Sequence, residues 1–150
     1  MGALAVGALA ENGTVIGVIP TFLLGKEGDR KDLTEKYVTE TLQERMDIIK
    51  QRADAYVIMP GGVGTLDELM QIWGSRLLDF HHAPILFYNM GGYFDELLAF
   101  LKTMVSHELS GAHYMDVLEV HEDENTLLAS LAETQKNPSS ENMLGKTILK

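Results

Sequence analysis

The sequence has 150 residues, of which 45% are hydrophobic, and this suits one compact domain with a single core. Its formal net charge of −10 at pH 7 argues against a protein that follows a nucleic-acid backbone, because such proteins neutralise phosphates with a basic face. The sequence contains no cysteine, which excludes disulfides, thiolate nucleophiles and thiolate metal sites.

The apolar runs do not predict a membrane protein. Each run is interrupted by Gly, Pro, Asp or Glu well before the roughly 20 residues that a membrane span needs. The first residues, "MGALAVGALAENG", lack the basic segment of a secretory signal. We therefore expect a soluble, cytoplasmic protein that binds neither membranes nor nucleic acid.

The first part of the chain predicts a helix, a strand and a loop. Residues 3–10 look like the end of an apolar helix, which Asn12-Gly13 would stop in the left-handed conformation. "TVIGVIP", residues 14–20, has the β-branched side chains of a buried strand. The segment 21–32 is rich in glycine and charge and predicts a loop.

A helix is predicted from residue 33 to about residue 52. Val38, Leu42 and Ile49 fall at helical spacings and would form one apolar stripe. Arg45 falls on the same stripe, and a guanidinium on a buried face needs a carboxylate or a phosphate. The alternatives are a structural ion pair, or a side chain whose stem packs while its charged end reaches water.

The rest of the chain alternates strands with helices. The predicted strands are "AYVIMP", "APILFYN" and "VLEVH", and the predicted helices are "TLDELMQIWGSRLLDF", "FDELLAFLKTMVSHEL" and "DENTLLASLAET". This order predicts an α/β fold, a Rossmann-like doubly wound parallel sheet, with ligands at the carboxyl ends of the strands. We expect one nucleotide-binding domain over residues 1–134 and a tail over residues 135–150, where the periodicity is lost.

The segment "PGGVGT", at the end of the second strand, is the strongest candidate site. Gly61, Gly62 and Gly64 let the backbone turn sharply and leave its N–H groups uncovered. A helix that starts near Thr65 would add its positive dipole end, which gives a phosphate site without a lysine. The alternative is a plain helix start in which Thr65 caps the helix and Glu68 closes a capping box. A cap alone does not need three glycines.

The nine residues "PGGVGTLDE", 60–68, resemble the PGGxGTxxE signature of the LOG family. That family comprises the cytokinin riboside 5'-monophosphate phosphoribohydrolases, also described as lysine decarboxylase-like proteins. Upstream, "LQERM" at 42–46 stands where the family carries an MHxRK-like motif, so Arg45 matches its arginine. The resemblance extends from the first residues to about residue 132.

The resemblance implies hydrolysis of the N-glycosidic bond of an adenosine 5'-monophosphate, with or without an N6 substituent, to the free base and ribose 5-phosphate. Arg45 and Glu68 match the residues that are catalytic in the family. The positions that it assigns to phosphate or substrate binding are Gly2, Gly61, Gly62, Gly64 and Thr65. It implies no metal and no organic cofactor. The implied partners are a nucleoside monophosphate and a second copy of the chain, joined through helices near 33–52 and 65–80.

Three departures from the family pattern affect these expectations. Gln43 and Met46 replace the histidine and lysine of the upstream motif, and Leu42 replaces its methionine. Met1-Gly2 resembles the end of the family's second glycine-rich segment, without the strand, helix and glycine loop that precede it. We therefore expect an N-terminally truncated domain that is inactive alone or depends on a partner.

Several other features predict structure and not function. His81-His82 precede a proline and predict a solvated loop, not a metal site. Trp73 and Leu77 share a helical face and predict core or a subunit interface. A pyridoxal-dependent decarboxylase is disfavoured, because the glycine loop has no lysine to form a Schiff base.

Two other functions stay open beside the glycosidase. A nucleotide-binding module without turnover would use the same loop to sense a phosphorylated ligand. A fragment that serves only for dimerisation would bind no ligand. Replacement of Glu68 by glutamine separates the enzyme from the module, because it removes the carboxylate charge and keeps the predicted capping box.

Overall fold

The computed structural model describes residues 2–26 and 30–136. The helices found there are α1 (Gly2–Ala10), α2 (Leu42–Arg52), α3 (Val63–Leu77), α4 (Asp95–Ser106) and α5 (Glu124–Lys136). The strands are β1 (Ile16–Pro20), β2 (Glu35–Thr39), β3 (Tyr56–Ile58), β4 (Ile85–Tyr88) and β5 (Leu118–His121). Parallel strands alternate with helices, so the predicted Rossmann-like α/β fold is confirmed.

The described residues fall into two compact units, the first within Met1–Arg52 and the second within Ala53–Lys150. In the first unit, β1 and β2 pair in parallel, with Val18 opposite Tyr37 at the centre of the pairing. Helix α2 packs against both strands. The single domain expected over residues 1–134 stays a prediction.

Strand β4 is the centre of the second unit. It pairs in parallel with β3 on one side and with β5 on the other. Ile85, Leu86 and Phe87 are completely buried, as expected for the middle of a parallel sheet covered on both faces. The helices and the turn before α4 supply further buried side chains to this core: Leu69, Ile72, Trp73, Phe94, Leu101 and Leu127.

The helix predicted from residue 33 is wrong over its first part, because residues Glu35–Thr39 form strand β2. Pairing with β1 satisfies the backbone of this segment, and its tyrosine, valine and threonine favour strands. The expected apolar stripe is therefore absent. Val38 lies in the strand and is 51% exposed, and Leu42 begins α2 and is 50% exposed.

The start of α2 is fixed by a cap that the apolar periodicity does not predict. The hydroxyl of Thr41 accepts the N–H of Glu44 at 3.1 Å. The Glu44 carboxylate in turn accepts the N–H of Glu40 at 2.8 Å. This is close to the reciprocal pattern of a capping box, and the letters "TLQE" carry its signature.

The remaining elements follow the predicted order. Asn12 is left-handed at φ 59° and ends α1 as expected. Asp123 accepts the N–H groups of Asn125 and Thr126 at 2.9 and 3.1 Å and caps α5. That helix runs through Lys136, so it includes the first two residues of the predicted tail, and residues 137–150 lie outside the described residues. In the described ranges, every helix falls short of the length and apolar character needed to cross a bilayer.

Candidate functional site

The carboxyl ends of β3 and β4 lead into the segments that build the candidate site. These strands are parallel neighbours in the second unit, so the segments after them emerge at the same edge of the sheet. Residues 59–62 connect β3 to α3 and are called the glycine loop below. Residues 89–94 connect β4 to α4 and are called the β4–α4 turn.

Helix α3 begins at Val63, two residues before the predicted start. Its N-cap is Gly62, which is extended at φ −92° and ψ −154° and has no side-chain cap. The Gly62 carbonyl accepts the N–H groups of Thr65 and Leu66 at 3.0 and 3.2 Å. The capping box of Thr65 and Glu68, which was the alternative interpretation of this segment, is therefore wrong, because Thr65 is the third residue inside the helix.

The glycines in and after the loop allow close approach. A β-carbon on Gly61 would collide with the hydroxyl of Thr65, so the threonine side chain lies directly against this glycine. A β-carbon on Gly62 or Gly64 would meet nothing within 4 Å, so the backbone there borders open space. The three glycines all have ordinary φ values. Their use in this chain is to leave room, not to adopt a left-handed turn.

The first turn of α3 presents backbone donors to that open space. The first N–H groups of a helix have no carbonyl one turn earlier in the helix, and the helix dipole places partial positive charge on them. Val63 and Gly64, the first two residues of α3, are both exposed. An anion can therefore reach these N–H groups without displacing a side chain.

Glu68 lies one turn further along α3. It follows Gly64 by four residues and Thr65 by three, so the three residues share one face of the helix. The Glu68 side chain is partly buried, whereas its neighbour Asp67 is exposed and accepts a hydrogen bond from Gln71 at 3.0 Å. A carboxylate at this position can stabilise positive charge or take a proton from water.

A hydrogen bond between residues 32 positions apart, which the sequence did not predict, connects the glycine loop to the segment after the neighbouring strand. The hydroxyl of Tyr93, in the β4–α4 turn, donates to the carbonyl of Gly61 at 2.8 Å. The turn before it is sharp because Gly91 and Gly92 are left-handed, with φ values of 64° and 74°. The letters "GGY" predicted that turn correctly, but they carry no signal for the contact with Gly61.

Asn89 fixes the β4–α4 turn from inside. Its buried side chain accepts the N–H of Phe94 and donates to the Asp95 carboxylate, both at 2.7 Å. Its own N–H donates to the carbonyl of His121, at the end of β5, also at 2.7 Å. A buried amide whose groups are bonded in this way rigidifies the backbone around it. The segments after β3 and β4 and the last residue of β5 are thus linked by hydrogen bonds.

His81 does not lie in a solvated loop, contrary to the prediction for the histidine pair. Its side chain is buried, and its Nε2 lies 3.1 Å from the carbonyl of Ile72. Its ring packs on that of Tyr56, with 5.1 Å between the centroids. A carbonyl partner offsets the cost of burying a polar ring, which explains why a histidine is tolerated just before β4. His82 is exposed, as expected.

Comparison with known proteins decides the family. The family model described as "Possible lysine decarboxylase" matches residues 1–131, which include the glycine loop and Glu68. The chain belongs to this LOG, or lysine decarboxylase-like, family.

The relatives of this chain in the LOG family are named for one specific reaction, unlike the family model. The chain is 43% identical over 105 residues to the cytokinin riboside 5'-monophosphate phosphoribohydrolase of Mycobacterium tuberculosis. The aligned region covers 70% of this chain and 56% of the relative. The protein of the same name from Mycobacterium marinum is 41% identical over 104 residues, covering 69% and 56%. A probable enzyme of this name from Oryza sativa subsp. japonica is 39% identical over 106 residues, covering 71% and 47%. The chain spans about half the length of these curated relatives.

Arg45 and Gly2, the other two positions matched to the LOG family, lie in the first unit. The Nε of Arg45 donates to the carbonyl of Val18 in β1 at 3.0 Å. The partner of that nitrogen is therefore a backbone carbonyl. The carboxylate or phosphate expected as a partner of the Arg45 guanidinium stays a prediction. Gly2 begins α1, and its carbonyl accepts a hydrogen bond from Arg30 at 3.2 Å. The roles of Arg45 and Gly2 in catalysis and binding stay predictions.

Two of the three substituted positions in the upstream LOG motif, Gln43 and Met46, have structural contacts of their own. Gln43 is exposed, and its amide donates to the Asp47 carboxylate at 2.8 Å, one turn along α2. Met46 is buried, where a flexible thioether side chain fills space well. At these positions the chain thus has a surface hydrogen bond and a core contact.

Proposed function

We propose that the protein hydrolyses the N-glycosidic bond of an adenosine 5'-monophosphate, plain or N6-modified, to the free base and ribose 5-phosphate. The observation that carries the proposal is the open helix start at Gly62 and Gly64, with Glu68 one turn along the same face of α3. The shared name of the LOG relatives supports the same reaction.

In this proposal the first turn of α3 binds the 5'-phosphate. Backbone N–H groups and the helix dipole favour an anion at that position, so no lysine is required. The hydroxyl of Thr65, which lies against Gly61, adds a side-chain donor at the same turn. These local donors attract the phosphate although the net charge of the chain is −10.

Glu68 is proposed to act on the ribose and on water. Cleavage builds positive, oxocarbenium-like charge on the ribose, which a nearby carboxylate stabilises. The same carboxylate takes a proton from the attacking water as its oxygen bonds to C1′. The electrons of the broken C1′–N bond leave with the base, which takes up a proton at nitrogen from solvent, and Glu68 returns its proton to solvent. Arg45 is proposed as the second catalytic residue on its motif match alone.

A nucleotide-binding module without turnover is the second candidate function. The open glycines and the first turn of α3 are sufficient to hold a phosphate, and they require no carboxylate. Homodimer formation, which the family resemblance implies, is a further proposal, and sedimentation velocity of the purified chain measures it.

The substitution Glu68→Gln, compared with Asp67→Asn, tests the enzyme against the module. Each variant removes one carboxylate charge from the same turn of α3, but Asp67 is exposed and accepts a hydrogen bond from Gln71, one turn along its own helix. Ribose 5-phosphate release from AMP and from isopentenyladenosine monophosphate is measured, together with AMP affinity. We expect Glu68→Gln to lower turnover by about 100-fold or more with little change in affinity, and Asp67→Asn to stay near the unmodified chain.

The other outcomes separate the hypotheses. Unchanged turnover in Glu68→Gln would contradict the role of this carboxylate. If the unmodified chain binds AMP without releasing ribose 5-phosphate, and a longer chain that also carries the strand, helix and glycine-rich loop expected upstream shows no turnover either, the binding module is favoured. If the chain neither binds AMP nor turns it over, both functions are contradicted for this chain.

A further inference from the structure

Tyr93 contacts the glycine loop although the family signature does not include it. Its hydroxyl donates to the carbonyl of Gly61 at 2.8 Å, and the residue is 55% exposed. A side chain this exposed adds little to the core by burial. The main effect of the hydrogen bond is therefore to hold the glycine loop in its observed conformation.

The peptide group between Gly61 and Gly62 is the part of the loop that this bond controls. In a planar trans peptide, the C=O of one residue and the N–H of the next point in opposite directions. A Gly61 carbonyl held by Tyr93 therefore fixes the direction of the Gly62 N–H. Glycine restricts backbone rotation less than any other residue, so a peptide group between two glycines is poorly held by the local chain itself.

The next peptide group is held from the helix side. The Gly62 carbonyl accepts the N–H groups of Thr65 and Leu66. The Val63 N–H belongs to the same peptide group and points the opposite way, beyond the first turn of α3. Tyr93 and α3 thus fix two successive N–H donors beside the open space at Gly62.

Tyr93 is itself held by a frame that does not depend on α3. The left-handed Gly91 and Gly92 and the buried Asn89 determine the backbone of the β4–α4 turn. The Tyr93 ring lies edge-on to the ring of Phe94, with 5.0 Å between the centroids. The hydroxyl is therefore positioned before any ligand arrives.

We propose that Tyr93 is a positioning residue that orients the Gly61–Gly62 peptide group for phosphate binding. The inference rests on the proposed function, because the phosphate is that of the nucleoside monophosphate substrate. Tyr93 needs no contact with the ligand. It lowers the dissociation constant by holding the loop in its binding conformation, which removes an ordering cost from the binding step.

The substitution Tyr93→Phe tests the proposal, since it keeps the ring against Phe94 and removes only the hydroxyl. Loss of one such hydrogen bond is expected to raise the dissociation constants for inorganic phosphate and AMP about three- to tenfold. Where turnover is measurable, KM rises and kcat changes little, since the bond acts equally on ground and transition states. The matched control is Ser130→Ala, which removes a hydroxyl that donates to Glu119 at 2.6 Å. We expect phosphate affinity to be unchanged in this control.

The amide resonance of Gly62 gives a readout that a loss of stability alone does not move. In Tyr93→Phe we expect this resonance to shift or broaden at an unchanged melting temperature, and to sharpen when inorganic phosphate is added. An unchanged Gly62 resonance together with unchanged phosphate affinity would overturn the proposal. If the unmodified chain binds neither phosphate nor AMP, the proposed function fails. The Gly62 resonance then decides the orienting role by itself: a change in Tyr93→Phe supports it, and no change overturns it.

Discussion

At the scale of single residues, folding changes the pKa of the Tyr56 hydroxyl. Its hydroxyl is buried, and no hydrogen-bond partner for it lies within residues 2–26 and 30–136. Burial raises the pKa of Tyr56 from 10.0 to about 12. Between these two values the unfolded chain releases a proton that the folded chain retains. This ionisation therefore leaves the free energy of unfolding unchanged below pH 10 and lowers it as the pH rises towards about 12.

The substitution Tyr56→Phe is expected to reduce this alkaline loss of stability. The phenylalanine ring keeps the contact with His81 and has no proton to release. At neutral pH we also expect a gain of about 1 kcal/mol, because a buried hydroxyl without a partner no longer needs to lose its hydration. Urea denaturation of both proteins at pH 8 and pH 11 measures the two effects. An equal loss of stability in both proteins would contradict the assignment to Tyr56.

At the scale of elements, two glycines should respond in opposite directions to the same substitution. Gly92 is left-handed at φ 74°, and a β-carbon there would clash with the Asp95 carboxylate. Gly74 lies inside α3, and a β-carbon there would meet nothing within 4 Å. We expect Gly92→Ala to lower the free energy of unfolding by about 1–2 kcal/mol and Gly74→Ala to raise it by about 0.5–1 kcal/mol. Urea denaturation measures both, and changes of the same sign would contradict the argument.

Elements were predictable from the sequence where one local pattern dominated. The strands from residue 56 onward have short apolar runs between turn residues, and their order was predicted correctly. Strand β2 was not predicted, because the spacing of Val38, Leu42 and Ile49 also fits a helix. The segment Glu35–Thr39 is a strand because it pairs with β1. The capping sequence "TLQE" indicates the correct start of α2, whereas the apolar spacing predicted a start several residues too early.

At the scale of the whole molecule, the sequence predicted only those parts of the candidate site whose residues lie close together along the chain. Gly61, Gly62, Gly64 and Glu68 follow each other within a few residues, so their shared helix face could be derived from spacing. The hydrogen bond from Tyr93 to Gly61 joins residues 32 positions apart. It exists because β3 and β4 are parallel neighbours, and no local pattern contains that information.

The two compact units should also differ in how readily they open. In the second unit, β4 is paired on both sides and its Ile85, Leu86 and Phe87 are fully buried. In the first unit, the described residues form a two-stranded sheet, and Val38 of β2 is half exposed. Local opening costs least where few apolar side chains are buried.

We therefore predict the slowest amide hydrogen exchange in β4, and exchange at least about tenfold faster in β2. Native-state exchange followed residue by residue measures this difference. Equal protection of β2 and β4 would contradict it, because both strands would then exchange only when the whole chain unfolds. A difference of the predicted size would mean that the glycine loop and the β4–α4 turn belong to the more stable unit, which suits a site whose backbone donors must be held in place before the ligand binds.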